Sequence, residues 1–120
     1  MLVQMMKNPS DRPKKILFKT SEQIKAVDVS SIIRLESESN YTSVYLNDGK
    51  KLLVSKSLKE YSDILEERYF FRSHQSHLIN LEFFDVYEKN DGGYIKLTDG
   101  TTVPVSKRKK SLLFELLESI

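Results

Sequence analysis

Asp-Gly occurs three times in this chain, at 48–49, 91–92 and 99–100, each time between short runs rich in β-branched and aromatic residues. Such pairs tolerate the positive φ that tight hairpin turns require, so the chain folds back on itself repeatedly at short intervals. The runs they separate read as strands: 16–18, 23–28, 31–36, 42–46, 51–54, 83–88, 93–97 and 101–105. Apolar residues in them alternate or come in groups of three. Pro104 has no amide to donate, which puts the last of these strands at a sheet edge or ends it there.

Two helices interrupt the strands. Ser57 is followed three residues later by Glu60, a capping-box spacing that satisfies free amides at a helix start. Leu58, Tyr61, Ile64 and Leu65 then share one face. Ser106 is placed to cap a final helix whose apolar face is Leu112, Leu113, Leu116, Leu117 and Ile120. The count of runs gives about eight to ten short strands in packed antiparallel sheets or a small barrel. No βαβ alternation appears, which argues against a doubly wound nucleotide fold. Residues 1–15, with Pro9 and Pro13 and no apolar period, read as a tail or linker, and 16–120 as one domain. Met1–Met6 have the makings of a last helical turn from something upstream.

Totals exclude several classes. The 120 residues contain no cysteine, so neither a disulfide framework nor a thiolate zinc site is available. No apolar run approaches the roughly 18–20 residues of a membrane span, and the N-terminus lacks a signal-peptide apolar region, so a soluble cytoplasmic protein is the expectation. Net charge is only +2, but its distribution is uneven: +3 over residues 1–15, −3 over 16–106 and +2 over 107–120. Basic charge gathered at the ends suits a phosphate backbone, although a charge run is also what a solvated surface carries.

Two segments hold the chemistry. Phe70-Phe71-Arg72-Ser73-His74-Gln75-Ser76-His77-Leu78-Ile79-Asn80 contains both histidines, and Val103-Pro104-Val105-Ser106-Lys107-Arg108-Lys109-Lys110 contains a basic run. His74 and His77 have a metal-like spacing with no third ligand nearby in sequence. Ser76 beside His74 lacks a carboxylate to orient the base, and no glycine-rich phosphate loop exists. The expectation is therefore no enzyme, no metal and no cofactor. Arg72, His74, Gln75 and Ser76 offer the groups that meet phosphates and base edges; equally, His74 and Ser76 suit an inward role satisfying buried backbone groups.

The run Phe71-Arg72-Ser73-His74-Gln75-Ser76-His77-Leu78-Ile79-Asn80 resembles the signature of the LytTR DNA-binding domain, the output half of many bacterial response regulators. Three further stretches stand in register with that family. Ile33-Arg34-Leu35-Glu36-Ser37 leads into Asn40-Tyr41. Ser57-Leu58-Lys59-Glu60 has Tyr61 where the family has leucine. Thr98-Asp99-Gly100 precedes Val103-Pro104-Val105-Ser106-Lys107-Arg108. The resemblance covers roughly residues 16–118 and is carried by four motifs in order.

The resemblance implies about ten short strands in stacked, mostly antiparallel sheets with one short internal helix and a C-terminal helix. It implies a bacterial transcription regulator that reads bases in successive major grooves through loops: Asn40, Tyr41 and Thr42 from one, Gln75 from another, Lys107 and Arg108 from a third. Lys56, Arg72, His74, Ser76, Ser106, Lys109 and Lys110 are the expected phosphate or supporting contacts. Expected partners are double-stranded DNA with imperfect direct repeats, bound by two copies, an upstream receiver domain and a sensor histidine kinase, with no membrane. Many members carry Arg or Lys where Gln75 stands, and an aromatic or aliphatic residue where His77 stands, which implies a partly buried His77. Two alternatives compete: a small β-rich protein-interaction module without DNA binding, and a single-strand binder stacking bases on Tyr41, Tyr45 and Tyr94.

Overall fold

Residues 15–118 are described by the computed structural model, and they form ten strands and two α-helices. Strands β1 (Lys15–Lys19) and β2 (Ile24–Asp28) pair as a two-stranded antiparallel ribbon. The central sheet has five antiparallel strands, β3 (Ile32–Glu38), β4 (Tyr41–Leu46), β5 (Lys51–Val54), β6 (Phe70–His74) and β7 (His77–Asn80), in the order β5-β4-β3-β7-β6. A third, three-stranded sheet orders β10 (Thr102–Pro104), β9 (Tyr94–Leu97) and β8 (Phe84–Glu88). Helix α1 (Leu58–Leu65) follows β5, and α2 (Lys110–Glu118) closes the described chain. Residues 1–14 of the expected 1–15 tail, and Ile120, lie outside the described residues, whereas Lys15, the last residue of that tail, opens β1.

All three Asp-Gly pairs sit in hairpin turns, with Gly49, Gly92 and Gly100 at φ 88°, 83° and 90°. Pro104 lies on β10, which pairs only with β9, as its missing amide requires.

The central sheet is covered on both faces, and neighbouring residues separate the two cores. Ile32, Leu35, Val44, Phe70 and Leu78 join α1 (Leu58, Tyr61, Leu65) and Phe18 and Val27 of the ribbon. Ile33, Phe71 and Ile79 join Ile95, Leu97, Val103 and Leu113 of the third sheet and α2. Paired apolar residues such as Phe70-Phe71 and Leu78-Ile79 therefore send one side chain to each core, as the two-residue strand period dictates. Ser57 caps α1 by accepting from the Glu60 amide at 3.3 Å.

Three expectations change. The histidine segment, absent from the strands read in the sequence, forms the β6–β7 hairpin, with His74 opposite His77. Ile64 is 39% exposed, because Tyr61 and Leu65 already fill the contact between α1 and the sheet. Leu112 is 42% exposed, since α2 turns only Leu113 fully inward, with Leu116 and Leu117 at the margin.

Candidate nucleic-acid interface

The sequence-predicted contacts converge on one end of the central sheet. Antiparallel pairing places the β3–β4 turn (Ser39, Asn40) and the β6–β7 turn (Gln75, Ser76) at the same end, and the Ser37 amide donates to the Ser76 carbonyl at 3.0 Å across them. Val54 at the end of β5 lies opposite Thr42, so Lys56 emerges beside them. On the other side, the Ser106 amide donates to the Ser73 carbonyl at 2.8 Å, docking the start of the basic run against β6. Across five strands at ~4.8 Å spacing, this end spans about 20 Å.

Asn40 and Gln75 are exposed at their turns, and Tyr41 is 49% exposed. Lys107 and Arg108 are exposed on a single 3₁₀ turn (Lys107–Lys109) that leads directly into α2. Among the described residues, Lys56, Lys107, Arg108 and Lys109 have no carboxylate partner, whereas Lys15, Arg34, Lys51 and Lys59 each do. Lys56 and Lys109 lie over aromatic rings, Tyr61 at 5.8 Å and Phe71 at 5.9 Å from the centroids. In both cases it is the ammonium head that lies over the ring face, a loose cation–π contact made without a carboxylate partner.

Several predicted residues do other work. Thr42 is fully buried and its hydroxyl donates to the Lys56 carbonyl at 2.8 Å, so its side chain offers no surface to a duplex; it ties β4 to the segment bearing Lys56. Lys110 donates to the Gly92 carbonyl, which holds α2 against the β8–β9 turn. Gly93 beside it has room for no side chain, because a β-carbon there meets the Tyr87 ring. Arg72 donates to the carbonyls of His74 and Gln75, within its own hairpin. Ser106 and Ser76 are partly buried, and Ser106 makes no side-chain cap despite its position.

The histidines face each other edge-on, 5.7 Å between centroids. His74 Nδ1 accepts from the Ser76 amide at 3.1 Å. Burial pushes the His77 imidazole below its ordinary value; Glu36 opposes the shift, and Arg34 and His74 reinforce it. Glu36 is the carboxylate no sequence spacing supplied: it lies opposite both His77 and Ser43 from the neighbouring strand. It accepts from Arg34 Nη1 at 2.7 Å. No group of three or more His, Cys, Asp or Glu among the described residues has a metal-holding arrangement.

A cleft of about 340 Å³ opens between α1 and the β6–β7 turn, lined among others by Arg72, Gln75, Arg108 and Lys109 on one wall and Lys59, Asp63 and Glu66 on the other. Asp63 is paired with Lys59 at 3.3 Å. Among the described residues, that pairing leaves Glu66 as the unpaired carboxylate of this wall, facing the basic side chains across the cleft. The α1 residues of this cleft were not singled out in the sequence, since nothing local marks a helix face that only packing brings beside residue 108.

The three tyrosines weighed for single-strand stacking are not gathered on one sheet. Tyr45 is sandwiched between Arg34, 3.9 Å from the ring centroid, and Lys51, at 5.5 Å. Tyr94 lies in a different sheet from Tyr41 and Tyr45.

No helix among the described residues is long and apolar enough to cross a membrane. Comparison with known proteins agrees with the architecture. A solved LytTr DNA-binding domain of a response regulator from Bacillus cereus superposes with a TM-score of 0.76 at 23% identity, covering 88% of this chain and 98% of that one. Two curated relatives, the heme-containing CO-sensing transcriptional regulators RcoM 1 and RcoM 2 of Paraburkholderia xenovorans, are each 29% identical over 94 residues. The match takes in 76% of this chain but only 35% of theirs. The family model described as the LytTr DNA-binding domain matches residues 22–118, most of the chain, and the chain belongs to that family of DNA-binding domains.

Proposed function

We propose that this chain is the DNA-reading part of a bacterial transcription regulator, and that it binds double-stranded DNA sequence-specifically through the end of its central sheet. The observation that carries the proposal is the convergence there of exposed hydrogen-bonding side chains (Asn40, Tyr41, Gln75) with cations that lack carboxylate partners (Lys56, Lys107, Arg108, Lys109). Arginine and lysine suit guanine, and glutamine and asparagine suit adenine in the major groove, while the flanking lysines take phosphates. A row about 20 Å wide, lengthened by the reach of its terminal Lys and Arg side chains, approaches the ~34 Å of one helical turn. That span supports contact with successive major grooves along one face of the duplex.

The reading includes two copies on imperfect direct repeats, and an upstream receiver domain answering to a sensor histidine kinase as the source of the signal. Chemistry on a substrate forms no part of it: Glu36 is taken by Arg34 and His74 Nδ1 by the Ser76 amide.

Selection from a random duplex library at about 0.15 M salt, where purely electrostatic binding is suppressed, tests it. A short motif repeated at about one helical turn is the expected result. Gln75→Ala and Arg108→Ala should each weaken binding to that motif by about 1–3 kcal/mol, and Lys107→Ala should reduce the slope of log affinity against log salt by about 0.9 if it meets a phosphate. Recovery of no motif would refute sequence-specific binding. It would favour the protein-interaction alternative, which the exposed Leu17 (61%) and Ile24 (63%) on the β1–β2 ribbon support.

A further inference from the structure

We infer that Arg72 is a positioning residue for base readout rather than a phosphate contact: its guanidinium fixes the backbone of the β6–β7 turn so that Gln75 is presented to the duplex in one orientation. The inference deepens the proposed function and rests on it.

The turn that carries Gln75 has none of the usual devices for fixing its shape. It contains no glycine or proline, and no residue from Arg72 to Ser76 has positive φ. Its pairing is irregular, with the β6–β7 register shifting between Phe71 and His74. Such a hairpin is underdetermined by its backbone alone.

Four consecutive carbonyls are nevertheless all held. Ser73 O accepts from the Ser106 amide at 2.8 Å and Ser76 O from the Ser37 amide at 3.0 Å. Between them, His74 O accepts from Arg72 Nε at 3.1 Å and Gln75 O from Arg72 Nη2 at 2.6 Å. The Ser76 amide is held in turn by His74 Nδ1. Two elements distant in sequence pin the base of the turn, and Arg72 holds both carbonyls of its tip. The Gln75 side chain stays exposed with no partner among the described residues.

Only arginine suits this arrangement. Its N–H donors lie in one rigid plane and reach two successive carbonyls at once, whereas a lysine ammonium is a single point on a flexible stem. With two of its nitrogens engaged inside its own hairpin, Arg72 is poorly placed to form a bidentate phosphate contact. Preorganising the turn lowers the ordering cost of binding and sharpens discrimination, since Gln75 arrives already aimed.

Arg72→Lys separates the two roles, because it keeps the charge and loses the fork. Affinities of the parent, Arg72→Lys, Gln75→Ala and the double variant are measured on the parent's selected site and on the same site altered at the base pair whose preference Gln75→Ala abolishes. Arg72→Lys should lose about tenfold of the discrimination at that pair, of the size one base contact supplies. The double variant should lose no more than Gln75→Ala alone, and the salt slope should stay at the parent value. Full discrimination in Arg72→Lys, or additive losses in the double variant, would overturn the inference while leaving the proposed function intact.

A second arm needs no DNA. In the free protein, the Nε–H of Arg72 should exchange with water more slowly than that of exposed Arg108, as followed by NMR. Equal exchange rates refute the clamp however the variant folds. A parent that binds duplex with no base preference removes the proposed function itself, and a protected Arg72 Nε–H does not rescue the inference in that case.

Discussion

Asn80 closes the family signature in the histidine segment, ends β7 and is only 2% exposed. Its Nδ2 donates to the Ile32 carbonyl on β3 at 2.9 Å, and its Oδ1 accepts from the Glu82 amide at 3.0 Å, capping the 3₁₀ turn Leu81–Phe83. Asn80→Ala removes both bonds. Loss of the cap costs about 1 kcal/mol, and a buried carbonyl left without a donor costs about 1–3 kcal/mol. A total of about 2–4 kcal/mol follows, a large part of the stability of a domain this size. With a urea slope of roughly 1–2 kcal/mol per molar, the unfolding midpoint should fall by about 2 M.

Asn80→Asp distinguishes the two bonds. The cap survives, but a carboxylate oxygen now faces the Ile32 carbonyl. Burial and that repulsion raise the folded pKa of the new acid above its unfolded value, so its contribution is favourable below the unfolded pKa and is lost as pH rises through the folded one. The Asp variant should therefore be at least as unstable as the Ala variant at pH 7 and recover relative to it near pH 4, where a protonated carboxyl donates to Ile32. Urea denaturation of both variants at the two pH values checks this. A loss under about 1 kcal/mol for Asn80→Ala, against the cap and carbonyl terms, or an Asp variant that does not recover in acid, would show that the Ile32 bond is not the latch described.

Two other outcomes follow from the same kind of accounting. Thr42→Val should cost about 0.5–1.5 kcal/mol of stability by leaving the Lys56 carbonyl without its hydroxyl donor, with base preference unchanged; an altered motif at parental stability would return Thr42 to the readout. His77 stays neutral in the fold at pH values where the unfolded chain takes up a proton, because burial lowers its pKa from 6.5. Its contribution is thus complete above the unfolded value and is lost as pH falls through the folded one. His77→Phe should flatten the decline in urea midpoint between pH 7.5 and 5, and parallel declines in parent and variant would discount the histidine.

Much of this molecule is local, and local features are legible in sequence. The Asp-Gly pairs stand at hairpins because the positive φ they supply is needed whatever packs nearby. Ser57 caps α1 because its partner, Glu60, is three residues away. Pro104 lies on an edge because it lacks an amide. The β6–β7 hairpin was hidden for the complementary reason: its turn has no glycine, and its tip is shaped by Arg72. The β3–β4 turn is similar, with Ser39 carrying the positive φ of 54°. The turns that present Asn40 and Gln75 both lack glycine, one relying on a serine at positive φ and the other on the Arg72 side chain.

What the sequence determined by itself is the set of short strands, their hairpin order, the helix starts and the family to which they belong, since each rests on residues a few positions apart. What only the tertiary structure decided is which residues share the end of the central sheet. Lys56, Gln75 and Arg108 meet there through strand order and the Ser106–Ser73 and Ser37–Ser76 bonds. The same packing buried Thr42 and set Lys110 upon the Gly92 carbonyl, eighteen residues away. A cation's role depends on which acceptors lie within about 3 Å of it, and those acceptors come from segments that no spacing along the chain identifies.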